Sequence, residues 1–148
     1  MKIRIKFRKW GVMKFIGHLD MMRYFQKAVR RAKIDIRYSE GYSPHQIMSF
    51  AAPLGVGITS DGEYFDIEVN ESMTSKEAVA ALNETMVDGV EVTSYVKLPD
   101  KAKTAMSIVA AADYRLSYKE GYESPFSTEE WKSCLLYTSD AADDLIGV

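Results

Sequence analysis

What this chain has least of is cysteine: one, Cys134, in 148 residues. Iron–sulfur clusters are held by several closely spaced thiolates, so this chain cannot carry one itself. Zinc does not fit either, since the two histidines, His18 and His45, stand 27 positions apart with no cysteine near them. No metal and no cofactor is therefore expected. Long apolar runs are absent too, which leaves no candidate membrane span. Residues Met1 to Trp10 alternate basic and apolar side chains and lack the continuous apolar core of a signal peptide, so a cytoplasmic protein is expected. Glycines do not form a phosphate cradle: Gly55, Gly57 and Gly62 read as turn residues, because no helix opens directly after them.

What is present suffices for a core. With 47% hydrophobic residues, the chain reads as one globular domain, or one and an incomplete second. The net charge of −2 hides an asymmetry: residues 1–50 carry 12 Lys+Arg against 3 Asp+Glu, and the remainder 7 against 18. A positive pole of this kind attracts phosphate backbones, and it would equally steer an acidic protein partner.

Periodicity gives the elements. Residues 2 to 9 read as a strand, with Ile3, Ile5 and Phe7 alternating against Lys2, Arg4, Lys6 and Arg8. Residues 18 to 33 read as a helix whose buried stripe is Met22, Phe25, Val29 and Ala32, with Arg23, Lys27, Arg30 and Arg31 on its other side. If the basic faces of the strand and the helix adjoin, they form one patch. A short strand over 34 to 38, strands at 48 to 51 and 64 to 69, a helix over 75 to 86 capped by Thr74 or Ser75, and a strand over 90 to 96 complete the pattern. The order is that of an α+β, ferredoxin-like split βαβ sheet with its helices on one face, spanning residues 1–98. Trp10 is expected to close the first strand over the core. A strand at Asp113 to Tyr118 and a helix starting at Ser127 suggest the beginning of a second, incomplete unit of the same kind over 105–133.

One stretch is chemically loaded. Tyr38-Ser39-Glu40-Gly41-Tyr42-Ser43-Pro44-His45 sets stacking, acceptor and titratable groups in a segment that Gly41 and Pro44 keep from being helical. Upstream, His18-Leu19-Asp20 opens the first helix. The candidate substrate-binding residues are His18, Asp20, Arg23, Lys27, Arg30, Arg37, Tyr38, Ser39, Glu40, Tyr42, His45 and Ser49. Arginines and lysines would take phosphates, and the aromatics a base. If the chain is an enzyme, His18 and His45 are the acid and base, helped by Asp20 or Glu40; a histidine at a helix N-terminus has its neutral form favoured. The bland readings are that His45 holds its loop by hydrogen bonds and that His18 caps its helix. No Gly-Phe-Gly-Phe signature of the sheet-stacking RNA-recognition module is present. Glu63 and Asp66 read mainly as a solvated strand face.

Four ordered motifs carry a resemblance: the helix-opening His18-Leu19-Asp20, the Tyr38 to His45 loop, the Ser49-Phe50-Ala51-Ala52-Pro53-Leu54 run with Gly57, and Glu63-Tyr64 with Asp66. Over about residues 2 to 130 the chain resembles the radical-SAM-linked domain family, bacterial domains of unknown function fused to, or encoded beside, radical S-adenosylmethionine proteins. Gly17 and Gln46 depart from its usual residues, and neither departure removes a titratable group. The resemblance implies a radical S-adenosylmethionine protein as partner, fused or neighbouring, with RNA a further candidate partner. Residues 134–148 look like the translation of a sequencing adaptor, a non-native tail, with the authentic chain broken near Ser133. Three functions stay open: an accessory substrate-recognition domain, a metal-independent nuclease or transferase using His18, and a structural docking domain for the radical enzyme.

Overall fold

The computed structural model describes residues 1–134. The elements run β1 (Lys2–Lys9), α1 (His18–Arg31), β2 (Met48–Phe50), β3 (Ser60–Glu68), α2 (Ser75–Glu84), β4 (Val90–Lys97) and α3 (Ala105–Ile108), with a 3-10 turn at Gly11–Phe15. The sheet order is β2-β3-β1-β4 and every neighbouring pair is antiparallel. This is the ferredoxin-like α+β arrangement expected from the element order. Met1–Ala111 form one compact unit, and the chain from Ala112 belongs to a second.

Each element follows from its local sequence. In β1 the odd positions Ile3, Ile5 and Phe7 are buried and the even positions point to the opposite face of the sheet. In α1, Met21, Phe25, Ala28 and Val29 are buried, Asp20 sits in the first turn, and Arg30 and Arg31 sit in the last, each matched to the helix dipole. Lys33 takes a left-handed conformation, φ 57°, and the Ile34 N–H closes onto the Val29 carbonyl, which ends the helix. Thr74 caps α2 in a capping box, exchanging bonds with Glu77 and thereby lowering the pKa of the Glu77 carboxyl.

The core lies between the two long helices and one sheet face. Phe7, Phe25, Phe50 and Phe65 form its aromatic centre, with ring centroids 4.7 Å apart for Phe7 and Phe25, 4.7 Å for Phe25 and Phe65, and 4.9 Å for Phe50 and Phe65. Truncating Phe25, which is fully buried, would cost about 3–5 kcal/mol.

The other sheet face is partly covered. The Arg4 guanidinium forms a two-pronged pair with Asp66 at 2.8 and 3.0 Å, donates to the Lys103 carbonyl at 2.9 Å, and Asp66 accepts from the Ala105 N–H at 2.7 Å. Residues 103 to 105 therefore roof one end of this open face.

Several expectations are corrected. The segment 34 to 38 is not a strand but makes two isolated bridges, Ile36 to Val69 and Tyr38 to Gln46. Trp10 does not close over the core. It packs beside Arg8, whose Cζ lies 5.0 Å from the ring centre, as expected for an even position continuing the open-face row of β1. The basic rows of β1 and α1 do not adjoin either, because α1 packs on the face of Ile3, Ile5 and Phe7 while Lys2, Arg4, Lys6 and Arg8 occupy the other face. Asp113 to Tyr118 is not a strand: no described segment pairs with it, so its backbone has no ladder. The helix expected after Ser127 is present from residue 128, with Ser127 and Glu130 exchanging capping bonds. The expected adaptor-derived tail lies, after Cys134, outside the described residues.

Candidate functional site

The loaded loop is a projection from the sheet edge. Arg37 N–H donates to the Glu68 carbonyl, Ile47 N–H donates to Arg37, and β2 then takes up pairing with β3, so residues 38 to 46 leave the edge and return to it. Ser39 and His45 tie the neck. Their backbones bond at 2.8 Å, the Ser39 hydroxyl accepts from the His45 N–H at 3.0 Å, and the same hydroxyl lies 3.0 Å from Nδ1 of the imidazole. His45 thus holds the loop. Beyond the neck Gly41 takes φ 114°, Glu40 is exposed, Tyr42 is fully exposed and Tyr38 is 45% exposed.

Gln46 fixes the loop to α1. Its side chain is buried and its Nε2 donates to the Gln26 carbonyl at 3.1 Å, while its Oε1 has no partner. Arg23, Lys27 and Arg30 flank Gln26 in sequence and are exposed. Only Arg23 has a carboxylate partner among the described residues, Asp20 at 3.3 Å. Arg37 lies 3.5 Å from Glu68.

The two histidines do not converge. His18 is the first residue of α1, whereas the loop that carries His45 is attached at Gln26, eight residues on, or about 12 Å along the axis. Nor does His18 cap its helix, because Gly17 occupies that position and no side chain caps it. Instead the His18 ring stands edge-on to Phe50, 5.2 Å between centroids, and is held there by the aromatic core. Ser49 is exposed on the open sheet face, away from both histidines.

His18 has other neighbours. It lines a shallow pocket with Lys9 and Glu63, walled by Phe7, Met21, Phe50 and Leu54. Lys9 is only 1% exposed and its Nζ donates to the Ile16 carbonyl. Burial lowers its pKa, and attraction to Glu63 works against that shift. Glu63 accepts from the Ser60 hydroxyl at 2.8 Å. Position parity could have found Lys9: it falls on the odd face of β1 with Ile3, Ile5 and Phe7, where a lysine must be buried and served by a partner. The same parity places Glu63 with Phe65 and Ile67, not on a solvated face.

The chain belongs to a conserved bacterial family. The matching family is described as an uncharacterized protein conserved in bacteria (DUF2344), and its model covers residues 2–141. No curated protein matches. The geometry thus gives this DUF2344 member two separate candidate regions, the basic face of α1 with its attached loop and the Lys9–His18–Glu63 pocket. Among the described residues no group of three or more His, Cys, Asp or Glu is placed to hold a metal ion. No described helix is long and apolar enough to cross a membrane.

Proposed function

We propose that this chain is a substrate-recognition domain of a radical S-adenosylmethionine system, without a cluster of its own, and that the substrate it presents is RNA or carries a nucleotide. The observation that carries the reading is the Gln46–Gln26 bond, which anchors a loop with exposed Tyr38 and Tyr42 on the helix whose exposed face holds Arg23, Lys27 and Arg30. Cations for phosphates next to aromatic rings for bases are the two components of single-strand recognition. The radical partner is supported by the motif resemblance, and the single cysteine means that the cluster has to be the partner's.

The test is binding of the full chain to total cellular RNA across a salt series, with the Arg23→Glu, Lys27→Glu, Arg30→Glu triple variant beside it. We expect affinity to fall with salt, at a slope of about −0.7 per phosphate contacted on single strands. The triple variant should lose most of the binding. Absence of binding at low salt would sink the RNA reading and leave docking to the radical enzyme.

A second reading has one observation in its favour: His18, Lys9 and Glu63, all groups capable of acid–base work, line the same pocket. In a metal-independent nuclease or transferase, His18→Ala would abolish turnover while leaving RNA affinity unchanged.

A further inference from the structure

The open face of the sheet carries a second mixed row of cations and aromatics, separate from α1. Along β1 the even positions are Lys2, Arg4, Lys6 and Arg8, and Trp10 follows. Tyr64 of β3 is paired in register with Lys6 and is 39% exposed. The Lys6 ammonium lies 5.7 Å from the centre of the Tyr64 ring, and Arg8 lies over Trp10. Gly62, on the same face, leaves room for the lysine stem: a Cβ there would come within 3.1 Å of Lys6 Cε. The Arg4–Asp66 end of this face is roofed by residues 103 to 105, so the accessible part is the Lys6, Tyr64, Arg8 and Trp10 end.

We propose that this end of the open face is a stacking platform for single-stranded RNA, with Tyr64 receiving a base and Lys6 and Arg8 receiving the adjoining phosphates. The proposal rests on the RNA reading above but uses none of its residues. Charge complementarity selects the occupant. Arg4 is engaged with Asp66 and Arg8 shares the exposed Asp61 at 3.3 Å, whereas Lys2 and Lys6 have no carboxylate within ion-pair distance among the described residues. Stacking a base on an aromatic ring is worth more than an exposed cation–π contact, so a base displaces the Lys6 ammonium, which stays within reach of the phosphate of that nucleotide. α1 and this platform lie on opposite faces of the sheet, so the two surfaces are independently testable.

The experiment measures binding of the full chain to a fluorescein-labelled oligouridylate and to an RNA duplex, for wild type, Tyr64→Ala, Tyr64→Phe and the α1 triple variant, with circular dichroism as the folding control. Tyr64→Ala is expected to weaken single-strand binding about 5- to 150-fold without changing the salt slope, because stacking releases no counterions. Tyr64→Phe should retain affinity, and duplex binding should not change. If wild type binds, the triple variant does not and Tyr64→Ala is unaffected, the platform is overturned while the α1 reading stands. If Tyr64→Ala loses binding and the triple variant keeps it, the platform stands and the α1 assignment fails. If wild type binds no RNA at low salt, both fall.

Discussion

Lys9 shows what one residue can do to stability. The alternation that buries Ile3, Ile5 and Phe7 also buries an ammonium at the end of the same face, served by the Ile16 carbonyl and the field of Glu63. Burial dominates and lowers its pKa. The folded state therefore binds fewer protons than the unfolded state in the alkaline range just below the ordinary lysine value. Stability rises with pH across that window and is lost as pH falls through the folded pKa. Tyr95, buried and with its pKa raised, works in the opposite sense: the stability it gives is present below the ordinary tyrosine value and lost above it. Urea unfolding from neutral pH up to the onset of tyrosine ionisation should show an upward slope in wild type and a flat line in Lys9→Met. The same slope in both proteins would mean that Lys9 is not the titrating group.

At the scale of elements, connections carry as much information as strands and helices. Gly89, between α2 and β4, has φ 108° and accepts the Trp10 N–H at the end of β1. A Cβ at that position would come within 2.6 Å of Met13 Cγ and 2.8 Å of the Trp10 carbonyl oxygen. Gly89→Ala is thus expected to destabilise by about 2 kcal/mol or more, from the left-handed backbone and the collision together. A shift in urea midpoint at constant m-value would measure it. The Trp10 contact of Gly89 was not legible in the sequence, because it joins residues that only the fold brings together. The strongly periodic β1, α1, α2 and β4 could be read directly. The edge strand was harder, since its pairing with β3 passes from Ile36 and Arg37 to Met48–Phe50 around the loop, and no period in the sequence marks that transfer. The loop itself was visible from Gly41 and Pro44. That it stands away from His18 was not, because this depends on where Gln46 meets α1.

At the scale of the molecule, the positive pole of residues 1–50 is folded into two surfaces with the sheet between them, so the charge count alone overstated how concentrated it is. The same three-dimensional bookkeeping predicts where the chain can be cut. Every residue of the principal hydrophobic cluster lies between Ile3 and Tyr95, and the polar strap that completes the open face ends at Ala105. A fragment of residues 1–111, one compact unit, should therefore fold cooperatively. A fragment of residues 1–98 keeps the cluster but loses the Lys103 carbonyl and the Ala105 N–H, leaving the half-buried Arg4–Asp66 pair short of two partners. It should be less stable than residues 1–111 by about 1.5–3 kcal/mol, the scale of a hydrogen bond to a charged group. Side-by-side urea titrations decide the matter. Equal midpoints would show that the strap contributes nothing, and a broad, non-cooperative transition for residues 1–111 would show that the core depends on chain beyond Ala111.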